Sequence, residues 1–244
     1  MLNRASKRKL RAFANRIFDV AERKRWVRPR PTFELDYHKL YPKLSVLEAH
    51  YDAVRAETLA LIADPESLVD IASLNKKYTG PHAISWKTFV LKHEAWKVDN
   101  CARCPETTKL LQQIPGLSNA FFSVLGARQH ISPHWGFYRG FIRYHLGVVI
   151  PNDNEDHSCY LRINTSYEDN DRRDTALIEK GDKYYWKNGQ GVLFDDMFLH
   201  DAENASDEAR VVLWLDLEKT LPGYLKALNK LVIRYGGPIP DAAI

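Results

Sequence analysis

Cysteine is scarce in this 244-residue chain, which has three thiols: Cys101, Cys104 and Cys159. A low, odd count argues against a disulfide framework and for a reducing compartment. The segment Cys101-Ala-Arg-Cys104 has the spacing of half a zinc knuckle, but no second cysteine pair supplies the other two ligands. No uninterrupted apolar run is long enough to span a bilayer. The N-terminus lacks the compact apolar stretch and small-residue cleavage site of a secretory signal, so a cytoplasmic protein is the expectation. Nor is the fold as a whole strongly charged. The formal net charge is +4, but residues 1–30 hold eleven Lys/Arg against Asp19 and Glu22, so the rest of the chain is net acidic. The basic character therefore belongs to one terminal segment. With 45% hydrophobic residues, a chain of this length can bury a full core.

Along the chain, residues 4–26 read as a basic helix with Leu10, Phe13, Ile17 and Ala21 at helical spacing. Residues 1–30 thus form a basic amphipathic arm, which suits either an anionic membrane surface or packing of its few apolar residues on the main domain. Nucleic acid is disfavoured, because no motif and no interleaved aromatics accompany the basic run. A Pro-broken linker at 26–32 leads into a helical extension, residues 31–84, expected to pack on the core. Its helix over 44–63 aligns Leu44, Leu47, Tyr51, Val54, Thr58 and Leu61 on one face. After a turn at 78–82 the period changes. Short β segments are predicted at 85–91, 120–125, 142–150, 159–163, 183–186, 191–194 and 210–217, which together read as a sandwich or barrel. One helix intrudes at 105–113. Residues 152–182 read as a long polar loop holding one short strand. Residues 219–244 contribute a closing helix, 224–234, and a frayed tail from 236.

Three segments carry candidate chemistry. His134 follows Pro133 at the entrance to the β region. Arg143 and His145 alternate onto one face of the strongest strand, where a cation and an imidazole need an anionic partner, either a ligand carboxylate or a protein Asp or Glu. The run from Gly191 through Phe194 turns at Asp195-Asp196, whose side chains are expected to bond the turn's backbone, and delivers His200. An acidic turn then leads to Arg210, which opens an apolar strand; a guanidinium there suits carboxylate capture. Imidazoles with open neighbouring positions suit non-haem iron. The two arginines with His145 could hold a dicarboxylic acid at both ends.

Ser123, then Ser-Pro-His134-x-Gly136, then Arg143-x-His145-Leu-Gly, then Gly191-x-Leu-Phe-Asp-Asp-x-x-x-His200 and Arg210 resemble the aspartyl/asparaginyl β-hydroxylase family over residues 85–218. Cys104-Pro105-Glu-Thr107 is similar to bacterial members, including the lipid A hydroxylase branch. The resemblance implies a mainly β, double-stranded β-helix (a jelly roll, cupin-like) over 85–218, with N-terminal helices and a C-terminal helix. It implies an iron(II)- and 2-oxoglutarate-dependent dioxygenase that hydroxylates a C–H bond of an aspartyl/asparaginyl-type residue, amino acid or related small molecule. A lipid acyl chain at a membrane surface is the alternative substrate, and a non-catalytic binding barrel the alternative function. By the resemblance, His134 and His200 bind iron, Arg210 and Ser123 the distal carboxylate of 2-oxoglutarate, and Arg143 and His145 its proximal end. Gly136 departs from the commonest oxygenase pattern, which has an acid there. That leaves water as the third ligand and keeps chloride, and hence halogenation, open; it also weakens the lipid A assignment.

Overall fold

The computed structural model describes residues 3–27, 33–74, 84–93 and 95–236. The core of the linker (28–32), the turn at 78–82 and the tail beyond 236 lie outside the described residues. The Asn3 side chain caps α1 (Arg4–Arg23) by accepting from the Ser6 amide at 2.9 Å. Next come α2 (Ser45–Ala49), α3 (Tyr51–Ile62), β1 (Val69–Asp70), α4 (Ile71–Leu74), β2 (Trp86–His93), β3 (Ala95–Trp96), α5 (Val98–Arg103) and α6 (Pro105–Leu111). The core strands are β4 (Leu117–Leu125), β5 (Gln129–His134), β6 (Phe141–Val149), β7 (Cys159–Asn164), β8 (Asp182–Tyr185), β9 (Gly191–Phe194), β10 (Leu199–Asn204) and β11 (Arg210–Glu218). Helix α7 (Tyr167–Arg172) lies between β7 and β8, and α8 (Gly223–Gly236) closes the chain.

Two antiparallel sheets result. One runs β1-β2-β4-β11-β6-β9 with β3 beside β2; the other runs β5-β10-β7-β8. From β4 onward the chain passes repeatedly between the sheets, and the first and last core strands, β4 and β11, are neighbours. This is the double-stranded β-helix, a jelly roll that closes two Greek keys around one interior. Both faces of β6 are buried. Ile142, Tyr144, Leu146 and Val148 point outward and are covered by Leu47, Val54, Leu61 and Leu111 from α2, α3 and α6. Thr58, the polar member of that helical stripe, satisfies itself by donating to the Val54 carbonyl at 2.7 Å. The opposite face meets the second sheet across Trp86, Phe121, Leu161, Trp186, Phe194 and Trp214.

The expected helix over 44–63 is broken into α2 and α3. His50 adopts φ −116°, ψ 28°, and its ring makes an additional contact with the Val46 carbonyl at 2.9 Å. The predicted helix at 105–113 is α6, and a second helix, α5, which the sequence did not show, precedes it and joins it at Cys104. Strand β5 was hidden by its polar residues and by Pro133, which an edge strand tolerates because a missing N–H costs it no ladder bond. Strand β10 lies where an acidic turn was expected. Asp201 is fully buried beneath Arg162 at 2.8 Å and His130 at 3.0 Å, while His200 and Ala202 face the interior. The polar stretch 152–182 is more ordered than a loop, since it carries β7 and α7 as well as the short helical turn Thr175–Lys180. At the free edge of β9, Glu34 bridges Leu193 through two backbone bonds of 2.8 and 3.1 Å.

Helix α1 is docked on the domain. Ala14, Phe18 and Ala21 are buried against Tyr138, Leu225 and Val232, which joins α1 to α8. Phe13, placed on the apolar stripe by sequence periodicity, faces outward with 60% of its surface exposed. Leu10, Ile17 and Ala21 of that stripe do pack on the domain, joined by Ala14 and Phe18, so Phe13 is its one outward member.

Candidate active site

The alternation of β6 sends Arg143 and His145 inward, and the register sets them opposite Asp216 and Trp214 of β11. Strand β4 places Ser123 opposite Val212, and Arg210 opens β11 opposite Leu125. In the second sheet His134 and His200 are direct cross-strand partners. All six sequence-predicted site residues line one chamber between the sheets, walled by Trp86, Trp186, Phe194 and Trp214. Five of the six are buried, whereas His134 is partly exposed, so the chamber opens past His134.

The two histidine rings lie 4.2 Å apart, centre to centre. Each donates its Nδ1–H to the carbonyl two residues earlier, His134 to Ser132 and His200 to Phe198, both at 2.8 Å. These bonds assign the tautomer, leaving Nε2 of each ring as the lone-pair nitrogen, and they fix ring orientation as a backbone acceptor does for a metal-binding imidazole. Burial pushes the His134 imidazole down to about 4. Burial, reinforced by His134, holds His200 well below the ordinary range. Both are neutral at pH 7, the state that binds metal. Among the described residues no cluster of three or more His, Cys, Asp or Glu forms, so the chain presents a pair of imidazoles rather than a triad.

Arg210 is 1% exposed and its Nε has no hydrogen-bond partner. Its guanidinium rests over the Trp186 ring at 4.4 Å, and among the described residues no carboxylate lies within ion-pair reach. Burial pulls it down to about 10, so it stays charged at neutral pH. His145 is also buried, with neither ring nitrogen partnered. Burial, then Arg143 and Arg210, hold its imidazole neutral. Ser123 Oγ accepts from Trp86 Nε1 at 2.9 Å, which leaves the hydroxyl proton to donate. A buried cation and buried polar nitrogens with no protein partner are costly unless a ligand satisfies them.

Arg143 is different. It pairs with Asp216 and Asp196, both at 2.9 Å, and stacks 3.9 Å over Trp214. Of the two partners that the strand left open, protein carboxylates are the ones present. The resemblance implies a role for Arg143 at the proximal end of 2-oxoglutarate; its guanidinium lies in the chamber and already holds two protein carboxylates. Sequence reasoning also missed Asp196. Asp195 does make the turn, accepting from the Met197 amide at 3.1 Å, but Asp196 leaves it to reach Arg143. Burial raises the Asp196 carboxyl to about 6, against the pull of Arg143. Its carboxylate packs against Gly136, where a β-carbon would collide with it. No side chain can be added at Gly136 unless Asp196 moves. The doublet Asp195-Asp196 was a visible signal, but one acid sufficed to explain the turn.

Helix α1 flanks the chamber mouth. Asn15 donates to the Phe137 carbonyl and accepts from the Arg139 amide, both at 2.9 Å, and so holds the loop that follows His134. Glu22, buried, pairs with Arg139 at 2.7 Å and Lys219 at 3.1 Å; Lys219 in turn pairs with Asp195.

The neutral histidines make the fold sensitive to acid. Their folded values lie below the ordinary 6.5, so the unfolded chain binds more protons, and this stability is lost as pH falls from about 6.5 toward about 4. Asp196, whose folded value is raised, opposes the trend over part of that window. In metal-free denaturation, His145→Asn should therefore flatten the pH slope of stability by about 1.4 kcal/mol per pH unit. An unaltered slope would show that His145 is not held neutral by the fold.

A profile of the aspartyl/asparaginyl β-hydroxylase family matches residues 48–220, a span that includes all six chamber residues. The ornithine lipid ester-linked acyl 2-hydroxylase of Rhizobium tropici is 31% identical over 194 residues, covering 78% of this chain and 62% of that protein. Aspartate β-hydroxylase domain-containing protein 2 of Homo sapiens is 31% identical over 199 residues, 77% of this chain and 47% of that protein. Aspartyl/asparaginyl β-hydroxylase of Homo sapiens is 24% identical over 177 residues, 70% and 20% respectively. The chain spans less than two thirds of the length of each of these relatives.

Proposed function

Since this chain belongs to the aspartyl/asparaginyl β-hydroxylase family, we propose that it is an iron(II)- and 2-oxoglutarate-dependent dioxygenase that hydroxylates a substrate C–H bond. The observation that carries this reading is Arg210, a buried, charged guanidinium without a protein carboxylate in the same chamber as two neutral imidazoles. A dicarboxylic acid satisfies the guanidinium at one end and reaches toward the histidines with the other. His134 and His200 would hold the iron; the donor set fits it, since neutral imidazoles suit a divalent iron that keeps positions open for oxygen ligands. The iron, when bound, supplies activation of dioxygen: one oxygen atom enters the C–H bond, the other goes into succinate, and carbon dioxide leaves.

The remaining roles belong to the chain's own side chains. Arg210 and Ser123 bind the distal carboxylate, through charge-assisted bonds and the free hydroxyl proton. His145 donates a ring N–H toward the 2-oxo acid. Arg143, held by Asp196 and Asp216, is a positioning residue that orients Asp196 beside Gly136. A carboxylate at that place disfavours chloride, which supports hydroxylation over halogenation. The substrate would be an aspartyl/asparaginyl-type residue, an amino acid or a related small molecule. The name of the Rhizobium tropici relative supports a lipid acyl chain as a second reading.

Purified protein given iron(II), 2-oxoglutarate and air should form succinate. His134→Ala and His200→Ala should each lose iron binding and succinate formation while keeping the native circular dichroism spectrum. Unchanged iron affinity in both variants would reject the ligand assignment. Failure of the parent protein to take up iron and 2-oxoglutarate would put the binding-barrel reading first.

A further inference from the structure

Helices α1 and α8 lie outside the segment matched by the family profile, yet they are built with care. Their facing sides are buried together. Their outward sides combine cations with large apolar groups. On α1, Lys9, Phe13, Arg16, Val20 and Lys24 recur at helical spacing on one exposed face, and Trp26 follows with 62% of its surface exposed. On α8, Tyr224, Leu231 and Tyr235 are exposed among Lys226, Lys230 and Arg234, with no acid in the helix. The two acids of α1 do not neutralise this surface. Glu22 is buried on Arg139 and Lys219, and Asp19 is taken by Arg23 and Arg139 at 2.8 Å. Free cations flanking exposed Phe, Trp and Tyr are the chemistry of an anionic lipid interface, where ammonium and guanidinium groups meet phosphates and rings enter the headgroup boundary. A nucleic-acid surface needs the cations but gains little from Val20 and Leu231.

We propose that the α1–α8 pair docks this protein on an anionic lipid bilayer, with the chamber mouth beside the docked surface. The mouth is adjacent to this surface. The chamber opens past His134, and the loop that follows His134 is bound by Asn15 of α1. The C-terminal end of α1 also pairs through Arg23 with Asp171 of α7 at 2.7 Å. The docking does not depend on the oxygenase reading.

The test is co-sedimentation of the full chain with phosphatidylcholine vesicles, with and without phosphatidylglycerol. Binding should require phosphatidylglycerol and weaken with salt. The combined variant Lys9→Gln, Arg16→Gln, Lys24→Gln should bind roughly a hundredfold more weakly. Phe13→Ser with Trp26→Ser should lose about tenfold or more from the apolar contribution. Both variants should keep wild-type iron and 2-oxoglutarate binding. Absence of vesicle binding, equal binding to both vesicle types, or binding to duplex DNA in place of vesicles overturns the docking.

Discussion

Arg210→Met is expected to make the protein more stable and, in the same molecule, to destroy its hold on 2-oxoglutarate. Both effects come from one fact: the guanidinium is buried, charged and lacks a carboxylate partner among the described residues. Among the described residues, the Trp186 ring beneath it offsets part of its desolvation. Methionine fills similar space without charge, and replacing buried ionic groups by apolar ones commonly gains about 1–4 kcal/mol. The bound dicarboxylate, by contrast, loses its charged partner. Deleting one side of a buried charge pair costs about 2–5 kcal/mol, or roughly thirtyfold to several thousandfold in affinity. Thermal melts with and without 2-oxoglutarate read both effects at once. The parent should melt higher with the ligand, as mass action requires, and the variant should start higher and not respond. A variant that melts lower and still responds would make Arg210 a structural cation.

The second large effect concerns α1. Of the two roles the sequence leaves open for residues 1–30, the structure shows packing on the main domain, so α1 is expected to matter for stability. Deleting it removes Asp19 and Glu22, which takes both ion-pair carboxylates from buried Arg139 and one carboxylate from Lys219, and it uncovers Tyr138, Leu225 and Val232. Breaking a buried pair from one side costs about 3–5 kcal/mol, a large fraction of a domain's whole margin of about 5–15 kcal/mol. The loop after His134 would also lose Asn15. Truncation should therefore lower the melting temperature and weaken iron binding, and Glu22→Leu should reproduce much of the loss in stability with α1 still present. A truncated chain with parental stability and iron affinity would show that the buried charges find other partners.

What could be read from the sequence followed period and spacing. Strand β6 was plain because five apolar residues alternate with a second set that includes Arg143 and His145, whereas Ser123 was legible only through the family resemblance. What could not be read were the partners. Arg143 and Asp216 are 73 positions apart, and only the β6–β11 register brings them together. Asp196 looked like a turn residue, because a turn uses the same side chain that a buried cation does. Strand β10 looked like a loop because Asp201 is as polar as any turn residue; the cations that permit its burial come from β5 and β7. On α1, sequence periodicity placed Leu10, Ile17 and Ala21 on the packed side correctly and Phe13 wrongly, because the width of the covered stripe is set by α8.

The outermost strands carry a consequence of another kind. An open sheet edge invites pairing with a second copy of itself, and each edge here is blunted. Strand β1 is two residues long, β5 carries Pro133, β8 begins Asp182-Lys183, and β9 is already paired by Glu34. Chains crowded on a common surface should therefore stay as separate particles and not grow into fibres, and Glu34 acts as the stopper at one of the four edges.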